Sequence, residues 1–325
     1  MLIPQEKPSK CSPFNFFSQC SVTLLFVSLF TGAINAAEQY NGFDLSQSLI
    51  DQKEILHGGP PRDGIPALTS PKFVAGAKTL ADDDRVLGLT LNGVSKAYPI
   101  RILNYHEIVN DHFSKQAVLI SYCPLCGTGM AFRSENNEQA LTFGVSGLLY
   151  NSDVLMYDRQ TESLWSQILA KSISGKLQGK QLETLPVEHT TWRDWKERYP
   201  NTKVLSFDTG FMRNYHRSPY GNYDQSERIY FPVTHTDRRY HPKEVVLGIQ
   251  VDGDFKAYPM VELDQISSPL RDSVNGISFQ LIFDSKTRSG RALDQTGKPY
   301  PVLRSYWFAW IAFHPTSEIW RKPEE

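Results

Sequence analysis

Cysteine is scarce in this chain, with four in 325 residues, and two of these, Cys11 and Cys20, fall in a leader-like N-terminal stretch. That leaves Cys123 and Cys126, so neither a disulfide-rich scaffold nor an all-thiolate site built from two CxxC pairs is available. After the N-terminal stretch no apolar run is long enough to span a bilayer, so no membrane span is expected in the mature chain. The formal charge is only −1, and no basic run stands out, which removes the electrostatic case for a nucleic-acid partner. The phosphate-loop pattern is missing, as is a nucleophile elbow, and no G-x-G-x-x-G follows a strand in a βαβ setting.

What is present begins with Lys7 and Lys10 ahead of the apolar stretch from Val22 to Ala33, with the small Ala36 after it. This pattern predicts a secretory signal peptide over residues 1–36 and an exported protein, periplasmic or secreted. Residues 37–62 are turn-rich and read as a linker, with Gly58, Gly59, Pro60 and Pro61 at its end. The compact part is expected over residues 63–322, as one domain.

Within it VLGLTLNGVSKAYPIRIL (residues 86–103) matches VLGIQVDGDFKAYPMVEL (residues 246–263) at nine of eighteen positions. Each copy breaks at Asn-Gly or Asp-Gly, the chemistry of a two-residue β-hairpin turn. Each then runs Lys-Ala-Tyr-Pro, where proline ends the strand. The fold class expected is α+β, predominantly β: an internally duplicated, pseudo-twofold module of β-hairpins and a few short helices. Its repeats would cover about 63–170 and 232–322. A helix at Thr190–Arg198 and a long loop at Phe211–Pro242 would join them. A longer alignment would place SYWFAWIAFHP, Ser305 to Pro315, opposite SYCPLCGTGMAFR, with Trp307 and Trp310 where the cysteines stand.

The cysteines lie in SYCPLCGTGMAF, Ser121 to Phe132, after the largely apolar run Ala117–Tyr122 that reads as a buried strand. A redox dithiol of the helical kind would set Cys126 in a first helical turn, whose dipole lowers a thiol pKa. Gly127 and Gly129 are poor material for such a turn. A Cys-Pro-Leu-Cys-Gly reversal between strands fits a metal-binding knuckle better, and the metal would be copper or zinc. The other ligands must then be His, Met, Asp or Glu. His106 is the first choice, on a helix expected to dock against the cysteine strand and aim His106 or Glu107 at the sulfurs. Met130 is the second, offering copper a thioether.

Other residues draw attention for weaker reasons. Asn151, Ser152 and Asp153 interrupt an apolar stretch; the carboxylate could be a ligand or a base near a thiol, and reads first as a turn residue bonding its own backbone. Gln139–Asp158 reads as two strands flanking a glycine-containing turn. Trp165, Ser166 and Gln167 suit a pocket wall or core. His235, Asp237 and His314 are second-half candidates.

The runs DGIPAL, AYPIRILNYHEIVND, SYCPLCGTGMAF, TFGVSGLLYNSDVLMYDRQTESLWSQ, VLGIQVDG and SYWFAWIAFHP together resemble the exported prokaryotic family called domain of unknown function 3179. The resemblance covers roughly Asp63 to Trp320 and implies export and a single domain, but no reaction. Three functions stay open. One is a copper or zinc site for metal handling or electron transfer, served by Cys123, Cys126, His106 and Met130. Another is a thiol–disulfide oxidoreductase with Cys123 attacking and Cys126 resolving. The last is an aromatic-lined glycan or peptide module with structural cysteines. A redox or metal-delivery protein would be the partner of the first two.

Overall fold

The computed structural model describes residues 40–76, 79–136 and 139–323. The signal peptide expected at 1–36 lies outside them. Strand dominates, and the α-helices are short.

The first repeat copy forms β1 (Arg85–Leu91) and β2 (Val94–Pro99), reversed at Asn92 and Gly93, both with positive φ. Helix α1 (Ile100–His106) follows, and then a meander of β3 (Ile108–Phe113), β4 (Gln116–Cys123) and β5 (Thr128–Arg133). Along β4 the apolar run is continuous because both faces are covered. Val118, Ile120 and Tyr122 pack with Leu87, Leu89 and Tyr98. Leu119 and Cys123 pack with Phe132, Met156 and Trp165 on the other side. A second hairpin, β6 (Phe143–Tyr150) and β7 (Asp153–Asp158), closes over that second face.

The chain then gives β8 (Glu188–Thr191), α2 (Trp192–Arg198) and β9 (Lys203–Leu205). Thr191 caps α2 by accepting from the Asp194 N–H. β8 runs antiparallel beside β1, and β9 parallel beside β2.

The second copy begins with β10 (Val245–Val251), β11 (Asp254–Pro259) and α3 (Met260–Leu263). Its meander is β12 (Leu270–Val274), β13 (Ile277–Asp284) and β14 (Ser289–Asp294). It ends with β15 (Leu303–Tyr306), α4 (Trp307–Phe313) and β16 (Glu318–Ile319).

The pairings repeat residue for residue. Val86 faces Pro99 as Val246 faces Pro259. Val118 faces Arg133 as Phe279 faces Asp294. β15 and β16 flank the second hairpin as β8 and β9 flank the first. The buried pair Lys96–Asp111, joined by the Tyr98 hydroxyl, has its counterpart in Lys256–Asp272 with Tyr258. The two patterns also interlock: β8 of the first pairs with β14 of the second, and the Tyr306 N–H at the end of β15 donates to the Cys126 carbonyl at 2.8 Å.

These registers correct the longer alignment. Trp307 and Trp310 match Trp192 and Trp195 on α2, while the place of the cysteine turn is taken in the second pattern by Asp284–Ser289. The tryptophans had matched the cysteines only through a shared Ser-Tyr and aromatic spacing.

The segment expected to be a linker over 37–62 is also corrected. From residue 40 it packs on the body: Ile55–His57 pairs with β6, and Phe43, Leu45 and Ile55 bury against Tyr157. Three apolar residues without periodicity among turn formers gave no strand signal. The Phe211–Pro242 stretch is loop with one short 3-10 turn, as expected, and buries Tyr215 and Tyr223. Among the described residues no helix is long and apolar enough to cross a membrane.

Gly88 lies under the Trp195 ring and Gly248 under Trp310, so close that a Cβ at either would overlap the indole. Gly88→Ala and Gly248→Ala should each destabilise by about 1–3 kcal/mol through overpacking. Thermal denaturation checks this; neither glycine is in the left-handed region, so the loss reports the clash with the indole and not backbone strain.

Candidate functional site

β4 ends at Cys123, and the reversal Pro124–Gly127 leads straight into β5 without a helix. Gly127 has φ 62°, and a Cβ there would meet the Tyr306 ring at 2.6 Å, so both conformation and space call for glycine. Both thiols are free and buried, Cys123 at 2% exposure and Cys126 at 0%.

The β6–β7 hairpin brings the third member. Its turn is Asn151–Ser152, both in the left-handed region at φ 51° and 64°. This corrects the expected glycine-containing turn: Gly147 instead occupies an irregularity within β6, where the register with β7 shifts. Positive φ at both positions is what a two-residue hairpin turn requires. Here it turns the Ser152 carbonyl toward both thiols, which donate to it at 3.7 and 3.4 Å. Tertiary contacts hold the turn. Asn151 donates to the Ala312 carbonyl and accepts from the Thr234 N–H, and Ser152 donates to the Phe231 carbonyl.

The next residue, Asp153, puts a carboxylate oxygen within 4.8 Å of both sulfurs. One of its oxygens accepts from the Ile168 N–H at 3.1 Å, and the Cys123 and Cys126 thiols are placed to donate to the carboxyl. Burial pushes this carboxyl from its ordinary 3.8 up to about 7. Burial also raises both thiols, Cys126 most, with the neighbouring carboxyl adding to it.

Glu107 is a second buried acid, at the left-handed C-cap of α1, where it accepts from the Tyr220 hydroxyl at 3.1 Å. Burial, with Asp153 adding, takes it up to about 7. No lysine, arginine or histidine among the described residues makes an ion pair with either acid. The ammonium of Lys243 donates to the Ser226 and Arg228 carbonyls and lies 4.0 Å over Tyr223; burial brings it down to about 8.

His106 stands outside the cysteine cluster. Its ring nitrogens are taken by the Pro66 carbonyl and the Tyr215 hydroxyl, at 2.8 and 2.6 Å. The helix docks as expected, and of the two residues expected to be aimed at the sulfurs it is Glu107, left-handed at the helix end, whose charge acts on Cys123. Met130 shares the apolar cluster of both cysteines. Trp165 is in that core too, with its indole N–H on Asp158. Gln167 donates to Ser121 and Thr128 across β4 and β5.

His235 is exposed, and Asp237 pairs with Arg239. His314 stacks on Phe255 at 3.9 Å, and burial takes it down to about 4, as for a core histidine. Asp153 is legible in the sequence as a possible ligand or thiol base, with a turn role read first. The signal for its role is that a two-residue turn at Asn151–Ser152 leaves the aspartate inside the strand, on a buried face.

Fold and site together define a mostly β protein with a buried dithiol–carboxylate centre at a strand reversal. The chain belongs to the family described as protein of unknown function (DUF3179), whose profile matches residues 62–317. No curated protein and no solved structure matches it.

The raised Asp153 carboxyl gives a pH test. Between 3.8 and about 7 the folded protein keeps a proton that the unfolded chain has lost, so this group's contribution to stability falls as pH rises through that window. In chelator-treated protein the melting temperature of Asp153→Asn should therefore climb relative to wild type from pH 4 toward 7. A pH-independent difference would contradict the assignment.

Proposed function

We propose that the protein binds a thiophilic divalent metal at Cys123, Cys126 and Asp153, with zinc favoured over copper, in a metal-handling role outside the cytoplasm. The observation that carries the reading is the convergence of one buried carboxyl group on two buried sulfurs, with no cation from the protein paired to it among the described residues. A cation there would stabilise three groups that are otherwise held neutral at a cost. The donor set argues for the metal. Zinc accepts thiolate and carboxylate together, whereas copper(I) prefers sulfur, and neither His106 nor a second thiol pair supplies more soft or imidazole ligands. Three protein ligands leave a position open, which suits exchange of the metal better than a closed structural site. In an oxidising compartment bound metal would also keep the pair from closing to a disulfide.

The dithiol reading has one observation on its side, a carboxyl raised to about 7 that is placed to take a thiol proton. Against it, attack on a protein disulfide needs an exposed sulfur of thiolate character, and these thiols are buried and raised.

Metal analysis of protein purified from its own compartment without added chelator separates the two. The expected result is about one zinc per chain. That zinc should be lost in Cys123→Ser and Asp153→Ala and kept in His106→Ala. A protein without bound metal whose cysteines cycle reversibly between dithiol and disulfide would overturn the proposal, as would full metal content in Asp153→Ala.

A further inference from the structure

Where the two patterns interlock, a cavity of about 400 Å³ opens beside the cysteine reversal, with Pro124 in its wall. The first pattern contributes Arg85, Tyr122 and His189 to it, and the second Lys286, Arg304 and Tyr306. Its size lies within the usual range of small-molecule sites, about 300–1,000 Å³.

Among the described residues no carboxylate pairs directly with Arg85 or Arg304 in this cavity, although Asp284 and Asp224 act on them through their fields. Arg85 donates to the Thr287 and His189 carbonyls and to the Ser289 hydroxyl. Arg304 donates to the Arg288 and Gly127 carbonyls. Every acceptor is neutral, and among the described residues neither guanidinium has a carboxylate at ion-pair distance. Asp224 is the acidic side chain in the wall, and its field reaches Arg304. His189 is 6% exposed, and its Nδ1 has no hydrogen-bond partner.

The consequence is visible in the proton affinities. Burial and the neighbouring Arg304 push Arg85 down to about 9, and burial with both guanidiniums pushes His189 down. Arg198, which two carboxylates embrace, is instead raised. Backbone carbonyls hold the two arginines in place but leave their charge unspent, which is how a preorganised anion site is built.

We infer that this cavity binds a small molecule through an oxyanion group, a carboxylate or a phosphate, held by Arg85 and Arg304 with the body of the ligand against Tyr122 and Tyr306. The site is separate from the proposed metal centre and does not depend on it. The two share a wall, since the Tyr306 N–H and the Arg304 guanidinium both bond carbonyls of the cysteine reversal.

Calorimetric titration and thermal shift test this on the full mature chain, with inorganic phosphate, acetate and chloride at matched ionic strength. The expected result is saturable binding of phosphate or of acetate beyond any effect of chloride; which one binds identifies the source of the oxyanion. Arg304→Gln should weaken binding by about tenfold or more, the usual loss for a hydrogen bond to a charged group. Lys286→Gln, an exposed change that leaves folding intact, should weaken it less and steepen no other property. Equal responses to all three salts in wild type, or unchanged affinity in Arg304→Gln and Arg85→Gln, would overturn the inference.

Discussion

Two thiols and two carboxyl groups share one apolar interior, and among the described residues no ion pair offsets the acids. An ionised carboxylate left alone in such a place costs several kcal/mol, so the acids and thiols stay protonated or a cation must join them. The rest of the local structure maintains this concentration of acid. β4 is covered on both faces, and the Asn151–Ser152 turn is pinned by Phe231, Thr234 and Ala312. An interior built only for stability would put apolar side chains there.

The repeated pairings explain why the centre stands where it does. Both patterns make a four-residue reversal after the second meander strand, each ending on a residue at positive φ, Gly127 in one and Arg288 in the other. One reversal carries the cysteines, and the other carries Asp284, Thr287 and Arg288. Because each pattern presses its β8-type or β15-type strand against the other's meander, both reversals border the cavity between the patterns. The thiol centre and the cavity arginines thus arise from equivalent edges of one architecture, given different side chains.

Much of this was legible in the sequence. Asn92–Gly93 and Asp252–Gly253 marked the hairpins, because positive φ at both turn positions has few residue solutions. Gly127 and Gly129 correctly spoke against a helix after Cys126. What escaped were features decided by tertiary placement. His106 and Glu107 were both candidates to face the sulfurs, and the tertiary fold commits the buried His106 ring to the Pro66 carbonyl and the Tyr215 hydroxyl instead. Asp153 could be weighed as a ligand or a thiol base, but turn chemistry, which its two neighbours already satisfy, read first. Arg85, His189 and Arg304 are scattered through the sequence, and only the interlock of the two patterns gathers them.

The central claim is that Cys123, Cys126 and Asp153 form one coordination sphere. X-ray absorption at the zinc edge, on protein purified with its native metal, tests it most directly. The account predicts a mixed shell with two sulfur scatterers at about 2.3 Å and oxygen at about 2.0–2.2 Å. A shell of nitrogen and oxygen alone, with no sulfur, would contradict it.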